Sequence, residues 1–212
     1  DHVSGALFAR NSYNTEFARR VAFFDVDDAT RHVSGDRTEF LGRNGTLRSW
    51  GGKGVGAGNA HNGLFQHLRI SSNSGIGLET GEGSTISGCT LRGNVGFGIS
   101  SGENNTISDC AAMRNTGGGI IAGDANTVTD CSAGLNGGDG INVASESTVT
   151  HCVATENSGN GIRAADGTTV NSCNARLNTG DGINVTVGCH VLNNSCNDNG
   201  NGGDGAGIHV LV

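Results

Sequence analysis

Gly102 to Ile120 reads GENNTISDCAAMRNTGGGI, and Gly123 to Ile141 reads GDANTVTDCSAGLNGGDGI. A cysteine, an asparagine and a Gly-x-Gly-Ile return after 21 residues. The same step carries Cys89, Cys110, Cys131, Cys152 and Cys173. It also carries Asn73, Asn94, Asn115, Asn136, Asn157 and Asn178. Threonines at 85, 106, 127, 148 and 169 each precede an Ile or Val. Backwards, Phe65 and Leu68 fit the Ile/Val and Cys positions, and Gly54-Val55-Gly56-Ala57 fits the tetrad. Forwards, Cys196 and Asn201 fit after a two-residue insertion near Cys189–Asn194.

A unit of this length is too short for two helices, and its apolar residues do not recur every 3.6 positions. Each unit holds three short alternating patches, Thr-[Ile/Val]-x, Cys-x-[Ala/Leu] and Ile-x-[Val/Ala/Ser], separated by Gly- and Asn-rich corners. One such turn cannot bury its apolar face, so turns must stack. Equivalent residues then lie about 4.8 Å apart in parallel, in-register columns. The expectation is an all-β, single-stranded parallel β-helix (solenoid) of seven to eight rungs over 51–212, whose right hand the resemblance given below implies. Asparagines at a corner can hydrogen-bond from rung to rung, as stacked β structures do. The absence of proline agrees, since nearly every N–H must donate to a neighbour.

Composition narrows the function classes. The chain of 212 residues holds 38 Gly and carries a net charge of -7, with Lys53 its one lysine. That balance argues against nucleic acid as a partner. No apolar run approaches the roughly 20 residues of a membrane span. Five cysteines at a strict step point inward as small hydrophobes, and only Cys189 and Cys196 invite a bridge.

The G-x-G-I and T-[IV]-[ST]-x-C pattern over 51–212 resembles the right-handed parallel β-helix repeat proteins. That superfamily includes pectate-lyase-like enzymes, alginate epimerases, NosD-like proteins and bacterial surface proteins. Residues 1–49 do not follow the ruler, and form a separate non-repeat segment over 1–50. SGALFARNSYNTEFARRVAFFDVDDATRHVSGDRTEFLGRNGTL resembles part of the non-catalytic β-sandwich of cyclic β-1,2-glucan synthase and cellobiose-phosphorylase-like glycosyltransferases. The catalytic barrel of that family has no counterpart, so a chimera is implied and no transferase activity follows. Residues 14–26 read as a capping helix, with a strand at Arg20–Val26 as the rival reading. Leu47-Arg48 falls one step before Leu68-Arg69.

Outward columns are where chemistry can gather. The position before Cys holds Asp109, Asp130 and His151, a carboxylate pair with an adjacent acid/base group. The plainer reading is a solvated polar edge. A second column holds Glu82, Glu103, Asp124 and Asp166, a candidate for calcium, with an acidic corner in water as the alternative. A third runs Ile76, Phe97, Gly118, Asp139, Asn160, Asp181 and Asp204. The leading expectation is a non-catalytic extracellular or envelope module of bacterial type, carbohydrate-associated or a surface scaffold. It needs no cofactor, calcium being the one candidate, and its expected partner is a polysaccharide. The alternatives are a polysaccharide lyase, hydrolase or epimerase, and a fusion fragment without an evolved function.

Overall fold

The computed structural model describes residues 41–200, 203 and 205–211, with side chains from residue 44 onward. Among the described residues twenty-four strands of three residues form three parallel sheets of eight strands each. One rung shows the design: Thr106–Ser108 lies in sheet 1, Ala111–Met113 in sheet 2 and Ile120–Ala122 in sheet 3. Corners of two, six and four residues join them and complete the 21-residue circuit. Neighbouring rungs stay in register, so Ile107 faces Val128, Ala112 faces Ala133 and Ile120 faces Ile141. This is a right-handed parallel β-helix.

Each corner holds a residue in the left-handed region, followed at once by a residue whose side chain turns inward. Asp109 (φ 53) precedes Cys110, Arg114 (φ 55) precedes Asn115, and Ala125 (φ 55) precedes Asn126. Left-handed backbone costs a non-glycine residue about 1–2 kcal/mol. The cost is offset because the N–H at that position still donates to the next rung, as Leu135 N does to Thr155 O at 3.0 Å. The asparagines of the ladder are therefore not the left-handed residues themselves. They are what that bend delivers to the interior.

The asparagine ladder is complete from Asn73 to Asn199. From Asn94 onward each Oδ1 accepts both the side-chain amide and the backbone N–H of the asparagine one rung before, while Asn73 Oδ1 accepts from Trp50 N. For Asn136 these distances are 3.1 Å from Asn115 Nδ2 and 3.0 Å from Asn115 N. Its own Nδ2 donates to Asn157 Oδ1 at 3.0 Å and Ala112 O at 3.0 Å. A second ladder, unexpected from the sequence, runs through Ser84, Asn105, Asn126, Ser147 and Thr168 at the corner before sheet 1. The second glycine of each G-x-G is required by close approach. A Cβ on Gly140 would lie 2.6 Å from Asn157 Nδ2 and 2.6 Å from Gly161 O.

The core consists of the expected columns. Phe65, Ile86, Ile107, Val128, Val149 and Val170 are fully buried under sheet 1. The five ladder cysteines are 1–2% exposed, each at the two-residue corner just before its sheet 2 strand. All seven cysteines are free. Cys189 and Cys196 do not bridge: Cys189 occupies the corner before sheet 1, while Cys196 lies inside sheet 2 opposite Ala175.

The structure moves the irregularities of the ruler at both ends. Val55, not Ala57, faces Leu78, and Leu47 faces Ile70 rather than Leu68. Two extra residues sit in the corner between Ala57 and Leu64, where no strand ladder is interrupted. No insertion occurs near Cys189–Asn194, because Thr169 still faces His190 and Asn174 still faces Ser195. The ladder accordingly continues at Asn199, not Asn201. The extra residues come later, since Ile183 faces Ile208. Leu41–Arg43 and Thr46–Arg48 already pair as strands of sheets 1 and 2. The expected cap at residues 14–26 and Asp204 lie outside the described residues.

Candidate functional site

The middle residue of every sheet 3 strand points outward, and the register lines these residues up along the helix axis. From Glu79 the row passes through Ser100, Ile121 and Asn142 to Arg163, Asn184 and His209. An open trough of about 530 Å³ follows this face. Ser100 and Ile121 line one end, Asn142 and Arg163 the middle, and Ala165 and Thr186 the other. Small residues beside the row, such as Ala144 and Gly123, leave the space open. Arg163 is exposed and has no carboxylate partner among the described residues.

Beyond Arg163 the row carries a polar cluster. Asp181 is 7% exposed and lies in the corner leading to the Ile183–Val185 strand. Its Oδ1 accepts from Ala206 N at 2.7 Å. Its Oδ2 accepts from Asn184 Nδ2 at 2.6 Å and lies 3.0 Å from His209 Nδ1. Burial works against the ionised carboxyl, but the Ala206 N–H, the Asn184 amide and the His209 ring outweigh it. Asp181 is held below its ordinary value. A carboxylate only accepts, so Nδ1 of His209 carries the proton and Nε2 is left as the other ring atom for a ligand. The corner is braced by a short ladder in which Asn160 N donates to Asp139 Oδ1 (2.7 Å) and Asp181 N to Asn160 Oδ1 (2.8 Å).

The residues expected from sequence lie elsewhere. Asp109, Asp130 and His151 stack at the corner between sheets 1 and 2, all left-handed and all exposed. His151 Nδ1 is 4.0 Å from Asp130 Oδ1, and Thr129 Oγ1 donates to Asp130 Oδ2 at 3.0 Å. Asp109 makes no ion pair among the described residues. Glu82, Glu103, Asp124 and Asp166 stack at the corner between sheets 3 and 1. Glu82 is 3.7 Å from His61, Asp124 Oδ1 accepts from Ser145 N at 2.9 Å, and Asp166 accepts from the Thr186 hydroxyl. Among the described residues no three of His, Cys, Asp and Glu converge on a point able to hold a metal ion.

Arg163, Asn184 and His209 were not singled out by the sequence. The first two occupy the variable centre of Ile-x-[Val/Ala], where the letter changes at every rung. His209 sits beyond the irregular corner, where the ruler no longer predicts a column. Asp181 was visible, but as an ordinary turn residue.

Comparison with known proteins supports the architecture. A double mutant of the periplasmic alginate epimerase AlgG superposes with a TM-score of 0.59 at 17% identity, covering 71% of this chain and 38% of that one. The A-module of the mannuronan C-5 epimerase AlgE4 of Azotobacter vinelandii gives 0.59 at 11% identity, covering 85% and 64%. The Agl-KA catalytic domain gives 0.53 at 15%, covering 66% and 34%. The chain thus spans between about a third and two thirds of these structures. No curated protein matches it. Residues 1–52 match the glycosyl hydrolase 94 supersandwich domain, in agreement with the resemblance of that segment. Residues 32–172 match the family described as the right handed beta helix region, and with two thirds of its length matched the chain belongs to that family.

Proposed function

We propose that the chain is a glycan-binding β-helix module of the extracellular space or cell envelope, non-catalytic in itself, holding a polysaccharide along the outer face of sheet 3. The observation that carries this reading is the trough between Ser100 and Thr186, running along the axis with the exposed Arg163 at its middle. A linear polymer matches a linear row of outward groups spaced about 4.8 Å apart. The guanidinium favours an acidic sugar, because it pairs with a carboxylate through two parallel hydrogen bonds. Supporting the reading, the named structural neighbours include an alginate epimerase described as periplasmic. No helix among the described residues is long and apolar enough to cross a membrane.

Affinity electrophoresis against acidic and neutral polysaccharides tests it. Retardation by an acidic glycan, lost in Arg163→Ala with unchanged melting, is expected; no retardation by any glycan removes the proposal. An enzymatic reading is favoured by the hydrogen-bonded Asp181–His209 pair more than by the exposed Asp109, Asp130 and His151 corner, whose closest approach is 4.0 Å. Turnover of the retarded glycan that disappears in His209→Ala supports that reading, and turnover lost in Asp130→Ala instead transfers it to the corner. Calcium across Glu82, Glu103, Asp124 and Asp166 is a structural addition to the proposal. A chelator that leaves the Tm unchanged removes it.

A further inference from the structure

Sheet 1 presents a second face whose chemistry the glycan reading does not use. Over five consecutive rungs the first outward position is always threonine: Thr85, Thr106, Thr127, Thr148 and Thr169. The second is Ser87, Ser108, Thr129, Thr150 and Asn171. Nine of these ten positions are hydroxyls, and none is charged, in a chain holding 33 Lys, Arg, Asp and Glu (13 basic, 20 acidic). The nearest charges, Asp109 and Asp130, stand one residue beyond the second column, at the corner.

Strand propensity does not explain the uniformity. Sheet 2 has the same strand length, pairing and rung spacing, and its outward pairs are mixed: Thr90/Arg92, Ala111/Met113, Ser132/Gly134, Val153/Thr155 and Asn174/Arg176. A preference for β-branched residues on a pleated surface acts equally on both sheets. Only sheet 1 carries the repeated hydroxyl pair.

The result is a rigid rectangular grid. Its rows are about 4.8 Å apart along the axis, and its columns about 6.6 Å apart across the strand. The β-branch confines each threonine rotamer, and Thr150 Oγ1 donates to Thr129 Oγ1 at 3.2 Å, linking successive rows. Every strand of the grid is paired on both sides. The edges of this rectangle are close to the oxygen repeats on the prism face of hexagonal ice. Hydroxyls hold water by hydrogen bonds at little entropic cost, and the intervening methyls order water around themselves. Ice is a neutral lattice, and an ion facing it would have to shed its hydration. A charge-free face on an otherwise charged chain meets that requirement. We propose that the hydroxyl grid of sheet 1 binds ice.

The test uses the full chain in an ice-recrystallisation assay and in thermal-hysteresis measurements, with serum albumin as the comparison. Slowed grain growth at micromolar protein is expected. Thr127→Lys at the grid centre, or Thr127→Val if the lysine variant fails to fold, reduces the effect at least several-fold while the Tm of Thr127→Val stays within a few degrees. Val153→Lys on sheet 2 leaves it unchanged. An effect no greater than that of albumin overturns the proposal, as does equal activity of the Thr127 and Val153 variants. Adsorption to crystalline cellulose without any effect on ice assigns the grid to a solid glycan, and also overturns it. Retention of acidic polysaccharide by Arg163 is read separately, so either reading can fail alone.

Discussion

Asn136 shows how much one side chain does in a stacked fold. Its amide completes four hydrogen bonds, three to the rung before and one to the rung after, so no part of it is spare. Asn136→Ala leaves the Asn115 N–H and amide, the Asn157 carbonyl oxygen and Ala112 O short of partners. Truncation should cost about 3 kcal/mol or more, since each buried orphan costs about 1–3 kcal/mol. Urea denaturation measures it, and a loss below 1 kcal/mol would sink the argument. Leu135 makes the opposite case. It is 39% exposed and left-handed with φ 57, a conformation that suits asparagine better than leucine. Leu135→Asn should therefore stabilise the fold by about 1 kcal/mol, seen as a higher Tm. The asparagine was legible from its period. The strain at Leu135 was not, because a leucine in a repeat reads as core, and only the backbone shows that it is a bend.

At the scale of the element, a three-residue strand has no stability of its own, and the corners decide where it begins. The Cys-x-[Ala/Leu] patch illustrates this. Its cysteine turns inward at the corner, and the strand starts one residue later, at Ala111 or Ser132. Rungs also pack backbone on backbone at the six-residue corner. Gly140→Ala would drive a methyl into Asn157 Nδ2 and Gly161 O, two atoms fixed by their own ladders. The expected cost is about 3 kcal/mol, the upper range for overpacking. A Tm equal to wild type would show that the corner yields instead. The same corner logic explains the mislocated insertion. Extra residues are accepted only where no strand pairing is broken, which is after Asn199 and not between Cys189 and Asn194.

For the whole molecule, the buried cysteine column couples stability to pH. The adjacent Cys131 thiol and burial push Cys152 up to about 12, and the Cys152 thiol and burial push Cys173 up as well. A raised folded value means that the folded chain keeps protons that the unfolded chain has released. The stabilisation is complete below the ordinary thiol value of about 8.5 and is lost as pH rises towards 12. Asp181 acts at the other end: its depressed value gives a contribution present above the ordinary carboxylate range and lost on acidification through the folded value. Tm plotted against pH should accordingly fall on both sides, with the acid limb reduced in Asp181→Asn. A flat profile from pH 8 to 11 would contradict the thiol account. Labelling with a thiol reagent near pH 8 gives a second check. Only the half-buried Cys189 and Cys196 should react in the folded chain, and all seven after denaturation. The sequence by itself determined the solenoid, its step, its three strands and its Asn and Cys ladders, because burial in a stack imposes the same residue at the same place on every rung. Outward positions carry no such constraint, so their letters vary and show no site when read along the chain. Only the tertiary structure decided that Arg163, Asn184 and His209 share one face, that Asp181 is held by two of its neighbours there, and that Asp130 and His151 stand exposed at a bend. Parallel register brings together residues that the chain keeps a full turn apart.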